Sequence, residues 1–320
     1  MNENRIVTYL ESSFLAPLLQ EEVTDISFNG EAIFLEENVH GRKKAALKTS
    51  KEEVGDFLRQ IANLSEKQFS YSSPTLDVSF GRYRLNATFL NITRVKDEKS
   101  YSFCLRILKE GSAITDDPSF MEKKAKEILF KALEENESIV IGGIASSGKS
   151  ELQKYLLLHL PERTRVIVID NLKELERIRG QEGIDLTSWQ VDEKSKDASY
   201  AALIRNALRF NPDYIVVAES RGGEVLEAIT SAMSGHPIIT TLHTRSVEAM
   251  PNRMARLAML GERKVEYEEV MEDIYDHFSY FVYLEKKVGK TGKIQRRLSK
   301  IGKLNRKSKT MEIVYERGER

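Results

Sequence analysis

Residues 138–160 read "SIVIGGIASSGKSELQKYLLLHL", and three patterns follow one another inside them. "SIVIG" is a short, unbroken apolar run, as in a parallel strand buried on both faces. Gly143, four residues, then Gly148, Lys149 and Ser150 form the Gly-x4-Gly-Lys-Ser/Thr phosphate loop. "KSELQKYLLLHL" then spaces its apolar residues as a helix does. Strand, loop and helix in this order are the context the motif requires. Backbone N–H groups of residues 144 to 150 are expected around phosphates at a helix N-terminus, where aligned peptide dipoles favour anions. The nucleotide-contact candidates are Gly143, Ile144, Ala145, Ser146, Ser147, Gly148, Lys149, Ser150 and Glu151. Lys149 is expected to reach the β- and γ-phosphates of ATP, and the Ser150 hydroxyl to ligate Mg²⁺. The competing reading is a Gly-rich turn that binds nothing.

Downstream the same rhythm repeats. "RVIVID", "YIVVA" and "PIITTLH" are short continuous apolar runs, separated by helical patterns such as "SYAALIRNALRF" and "EVLEAITSAM". This predicts an α/β nucleotide-binding domain over residues 121–320. Upstream, residues 1–109 predict a smaller α+β domain. "VTDISFNG" and "AIFLEE" read as strands, and "SKEEVGDFLRQIANL" is helical, with Val54, Phe57, Leu58 and Ile61 on one face. "DVSFGRYRLNATFLNITR" and "YSFCLRIL" are strand-rich, with a polar turn expected in "NITRVKDEKSY". "KEGSAITDDPSF" lacks periodicity, which puts the linker at residues 110–120.

The 320 residues carry 49 Lys+Arg and 49 Asp+Glu, so no global field draws the chain toward nucleic acid or an anionic membrane. The single cysteine, Cys104, excludes an internal disulfide and a Cys-based zinc site, and reads as core packing in a reducing compartment. No window approaches the ~20 apolar residues of a membrane-spanning helix, and no signal sequence is read at the N-terminus. A cytoplasmic location follows as the expectation.

Hydrolysis needs a carboxylate to orient or deprotonate water. Glu219 follows "YIVVA" and is the acid expected at that strand's carboxyl edge, with Ala218 where many phosphate-loop enzymes place Asp. Its other reading is a helix N-terminal charge. Asp170 closes "RVIVID" and Glu174 follows within a turn. Both suit the phosphates, and both suit capping of the helix-like "LKELERI". His236 and His243 bracket "PIITTL", and a histidine at a strand end can report a γ-phosphate by hydrogen bonding. Taken alone, each reads as structural.

Four stretches together, "GGIASSGKS", "VIDNLKEL", "LRFNPDYIVVAESRGGEV" and "SGHPIITTLHT", resemble the bacterial ATPases of type II and type IV secretion and type IV pili. "PLLQEEVTDISFNG" and "SSPTLDVSFGRYRLNA" resemble the N-terminal domain of the type IV secretion and tight-adherence pilus branches, as "SRGGEV" does after Glu219. The resemblance covers most of residues 15 to 285. It implies a RecA-like P-loop ATPase domain after a smaller α+β domain. It makes Glu219 the Walker B glutamate and His243 the histidine-box residue, and it matches Arg84 in "RLNA" and Arg106 in "CLRI" to arginines that approach the phosphates. It further implies ATP and Mg²⁺, a hexameric homo-oligomer, and membrane-embedded secretion or pilus subunits as partners at the inner face of the cytoplasmic membrane. Three departures stand out: Ala145-Ser146 for the usual Thr-Gly, Asp170-Asn171 for an acidic Glu-Asp pair, and Ala218 for Gly.

Between Lys286 and Lys309 there are basic residues and no acidic one. Such a stretch suits nucleic acid, anionic lipid or an acidic partner, while its glycines and "MEIVYE" suggest a solvated hairpin. The expected function is an Mg²⁺-dependent ATPase motor. Its rivals are a nucleic-acid-stimulated motor, disfavoured by the lack of an aromatic-interleaved basic groove, and a non-hydrolysing, nucleotide-gated assembly module.

Overall fold

The structure, a computed structural model, describes residues 3–109, 111–114, 117–171, 174–175, 183–192, 195–261, 263–289 and 292–318. The chain divides into two compact units, Met1–Lys109 with Val288–Gln295, and Glu110–Lys287 with Arg296–Arg320.

The first unit contains α1 (Glu3–Glu11), β1 (Val23–Phe28), β2 (Ile33–Glu37), β3 (Gly41–Lys44), α2 (Lys51–Leu64), β4 (Thr75–Phe80), β5 (Tyr83–Val95) and β6 (Glu98–Ile107). Its six strands form one sheet in the order β3-β2-β1-β6-β5-β4. Ser50 starts α2 by accepting a hydrogen bond from the Glu53 amide at 3.1 Å, the arrangement that satisfies an orphan helix donor. Val54, Phe57, Leu58 and Ile61 then fall on one buried face, each gaining about 1.5–3 kcal/mol from burial. The Phe57 ring meets Phe103 of β6 at a centroid distance of 6.1 Å.

Two sequence expectations need correction in this unit. "NITR" belongs to β5, and the reversal is confined to Lys96 and Asp97 at φ +50° and +67°. Two consecutive left-handed residues match the twist of a tight hairpin, and Val95 pairs Glu98 across it. Cys104 is exposed instead of packed in the core. Strand alternation decides this: Phe103, Leu105 and Ile107 point into the core, which leaves Cys104 and Arg106 on the opposite face.

The second unit contains α3 (Lys123–Glu134), β7 (Ile139–Gly143), α4 (Lys149–Leu157), β8 (Arg165–Asp170), β9 (Asp185–Gln190), α5 (Tyr200–Ala207), β10 (Tyr214–Val217), α6 (Val225–Met233), β11 (Ile238–His243), α7 (Met250–Ala258), α8 (Tyr267–His277), β14 (Thr310–Glu316) and, apart from Val288 and Ile294–Gln295, β12 (Tyr280–Val288) and β13 (Ile294–Asn305). Eight strands form a sheet in the order β14-β13-β12-β7-β11-β10-β8-β9. The run from β12 to β9 is parallel throughout. Its central strands are fully buried, which explains their unbroken apolar sequences. The first strand, β7, lies between β11 and β12, and the connection leaving β7 runs toward β8 while that leaving its neighbour β11 runs the other way, to β12. Ligands of such sheets bind at the carboxyl ends of the strands beside this switch.

The basic stretch is not simply a solvated hairpin. β13 and β14 pair antiparallel and extend the main sheet, with Leu298 and Ile301 wholly buried. Its charges meet acids from elsewhere in the chain: Arg297 meets Glu285 at 2.7 Å, Lys300 meets Glu316 at 2.9 Å, and Lys309 meets Asp276.

Candidate active site

Parallel register brings the site together. Gly143 stands between His243 of β11 on one side and Leu284 of β12 on the other, so β11 ends level with the start of the phosphate loop. Gly143 admits no side chain: a Cβ there would lie 2.4 Å from the Ser147 hydroxyl and 2.7 Å from the Leu284 carbonyl. The loop turns back through the Ser147 amide on the Ile144 carbonyl, then passes through Gly148 at φ +98° into α4. Ser146, where the resembling family has Gly, sits at φ +58°. A Cβ in that left-handed region costs about 1–2 kcal/mol. Ser147 is 1% exposed and its hydroxyl lacks a partner among the described residues.

Lys149 curls back over the loop. Its ammonium lies 3.3 Å from the Gly143 carbonyl, 3.2 Å from the Ile144 carbonyl and 3.4 Å from His243 Nδ1. Burial lowers its pKa to about 8, although Glu219 and Glu174 pull the other way. His243 Nε2 lies 3.2 Å from Glu219 Oε1. Burial and the Lys149 charge lower the His243 pKa, which leaves the imidazole neutral at pH 7. Accepting from Lys149 at Nδ1 and donating to Glu219 from Nε2 assigns the Nε2–H tautomer.

Glu219 is fixed by its neighbours. The Ala218 amide donates to Ile169 of β8 at 3.0 Å, and the Ser220 amide donates to Thr241 of β11 at 2.7 Å. The Thr241 hydroxyl donates to the Ala218 carbonyl at 2.8 Å, and the Ser220 and Thr240 hydroxyls meet at 2.8 Å. Backbone held on both sides of residue 219 limits where its carboxylate can go.

The remaining candidates divide. Asp170, 2% exposed, accepts the Leu175 amide at 3.1 Å; most of "LKELERI" lies outside the described residues. Glu174 is near enough to act on the Lys149 charge. Glu151 pairs with Lys154 at 2.7 Å, and the Ala113 amide donates to it at 2.6 Å. His236 precedes β11 at the opposite, amino end of the sheet and does not join the site. In the first unit Arg84 and Arg106 stand directly opposite one another on β5 and β6. Arg84 bonds Asp77 at 3.0 Å and Arg106 bonds Asp25 at 3.1 Å.

Two residues escaped the sequence reading. Gln153, wholly buried in α4, donates to the carbonyls of Val217 at 3.0 Å and Ile239 at 3.2 Å, tying the helix behind Lys149 to the strands of Glu219 and His243. A polar residue inside the apolar run of α4, one turn after Lys149, was its available signal. Arg296 Nε donates to the Ser146 carbonyl at 2.7 Å, and only its place in the basic stretch marked it.

Fold and site together define a phosphate-loop α/β protein with an acid and a histidine beside the loop. A family model described as type II/IV secretion system protein matches residues 97–274, more than half of the sequence, and the chain belongs to that family. It is 25% identical to an uncharacterized protein of Bacillus anthracis, over 84% of this chain and 60% of that one. It is 32% identical to the type IV secretion system protein VirB11 of Brucella suis, over 46% of this chain and 42% of that protein. The chain thus spans less than two thirds of these relatives. The structure of the Legionella pneumophila ATPase DotB shares the fold, at a TM-score of 0.66 and 20% identity, covering 96% of this chain and 81% of that one. The expected α/β class, with a smaller N-terminal domain before the phosphate-loop domain, agrees with that likeness.

Proposed function

We propose that the chain is a Mg²⁺-dependent ATP hydrolase that works as a ring-forming motor of a type IV secretion, conjugation or pilus machine. The carrying observation is the continuous contact from Lys149 through His243 to Glu219 at the carboxyl edge of the sheet.

The fit to a nucleotide rests on the loop. Gly143 lets the loop pack against Ser147 and Leu284, Gly148 carries the backbone at φ +98° into α4, the first amides of a helix lack intrahelical partners, and a buried ammonium rests on carbonyls that an anion can replace. Among the described residues no cluster of three His, Cys, Asp or Glu is placed to hold a metal, so Mg²⁺ would rest on the Ser150 hydroxyl and substrate oxygens. Bound there, Mg²⁺ supplies charge neutralisation across the phosphates. Glu219 orients a water and takes its proton as the oxygen adds to the γ-phosphorus and the bond to the bridging oxygen breaks. His243 holds Glu219 through Nε2–H and registers where Lys149 lies. Arg84 and Arg106 are assigned to the transition-state charge, with residues 110–120 as the hinge between domains 1–109 and 121–320.

Family membership and the kinship with VirB11 support the secretion setting; the homo-oligomer, which we take to be a hexamer, rests on the resemblance of the sequence motifs alone. Among the described residues no helix is long and apolar enough to cross a membrane, so attachment to membrane subunits would be peripheral. Local pairing of Arg297, Lys300 and Lys309 makes the basic stretch a poor track for nucleic acid. Phosphate release from MgATP that disappears in Lys149→Ala tests the proposal; nucleotide binding without phosphate release in the wild type would instead support the non-hydrolysing module.

A further inference from the structure

The function above leaves the basic stretch without a task, yet one of its members reaches the phosphate loop. Arg296 Nε donates to the Ser146 carbonyl at 2.7 Å, and its Cδ passes 3.9 Å from where a Cβ on Gly148 would stand. Its stem therefore lies along the second half of the loop. Ser146 is the one non-glycine residue between Gly143 and Ser150 with a positive φ. Left-handed backbone is unfavourable for a residue with a Cβ and free of that penalty for glycine. The loop thus carries strain where the family's usual residue would carry none.

β13 is well placed to oppose that strain. The residues after Arg296 fix the strand: Arg297 pairs with Glu285 at 2.7 Å, and the Leu298 amide donates to Phe120 at 2.8 Å while its side chain is wholly buried. A guanidinium keeps its charge at every accessible pH and holds a rigid donor geometry, so its bond to a carbonyl is charge-assisted and directional.

We infer that Arg296 is a positioning residue of the phosphate loop: by holding the Ser146 carbonyl it keeps residue 146 left-handed and the following amides turned toward the phosphates. The role rests on the nucleotide-binding reading. Ser146 and Arg296 act as a compensating pair, in which an arginine from the far end of the sequence supplies the order that glycine would give for free.

The test combines hydrogen exchange of the loop in the ligand-free full chain with titration of a fluorescent ADP analogue in Mg²⁺. Arg296→Ala is expected to speed exchange at residues 144–150 several-fold and weaken ADP binding about tenfold, with Arg296→Lys in between. Lys300→Ala, on the same strand, is expected to change neither. Ser146→Gly in the Arg296→Ala background is expected to restore affinity to within about threefold of wild type, which loss of general stability would not produce. Unchanged exchange in Arg296→Ala, or an equal loss of affinity when Arg296→Ala is combined with Ser146→Gly, would overturn the inference. Failure of the wild type to bind the ADP analogue would remove the nucleotide reading instead, and loop exchange would still report whether Arg296 holds Ser146.

Discussion

Lys149 shows how one buried charge can be poised for an anion. It is 8% exposed, and that burial costs it part of its proton affinity, although two carbonyls and an imidazole accept from it and Glu219 and Glu174 oppose the loss. Its pKa near 8 lies below the ordinary 10.5, so the unfolded chain binds more protons between these values. The free protein therefore gains stability from this group as pH rises from 8 toward 10.5, and gains none below about 7. Phosphate would restore the charge. Binding of MgADP should take up about half a proton at pH 8 and nearly one at pH 9, read by calorimetry in buffers of different ionisation enthalpy. Heats independent of buffer would contradict this account of Lys149. At the same scale, Ser146→Gly should stabilise the protein by about 1 kcal/mol in chemical denaturation, by removing a Cβ from left-handed backbone.

Elements set where such residues meet. Gln153 joins α4 to β10 and β11 through two carbonyls, and its loss leaves both buried without that donor. Gln153→Leu should cost about 1–3 kcal/mol by urea denaturation, and a neutral result would show that the helix is held by packing alone. In the first unit, alternation along β6 predicts that Cys104→Ser changes stability by less than about 0.5 kcal/mol, whereas Phe103→Ala costs about 3–5 kcal/mol. That contrast also marks the limit of reading sequence. β7, β8, β10 and β11 were legible because strands buried on both faces leave unbroken apolar runs, and Glu219 and His243 could be placed because they end such runs. β9 was not, since "DLTSWQ" is half-exposed and mixed. Cys104 was misread because small apolar residues occur on both faces of a strand, and only its phase relative to Phe103 and Leu105 decides. Arg296 lies 150 residues from Ser146, a separation at which no local pattern speaks.

At the scale of the whole molecule the proposal needs both units. The first holds Arg84 and Arg106 side by side, their like charges offset by Asp77 and Asp25. The second holds the loop, Glu219 and His243. If the arginines meet the transition state, Arg84→Glu with Arg106→Glu should lower turnover about 10³-fold or more, yet leave the affinity for MgADP within about threefold. Unchanged turnover would return both residues to a purely structural duty on the sheet. The most direct test of the central claim is steady-state phosphate release with MgATP, wild type beside Glu219→Gln, across protein concentration. The account predicts turnover per chain that rises with concentration in the wild type and falls at least about 10²-fold in the variant, with nucleotide still bound. Undiminished turnover in Glu219→Gln would contradict it, because the acid that completes the Lys149–His243–Glu219 chain would then have no part in activating water.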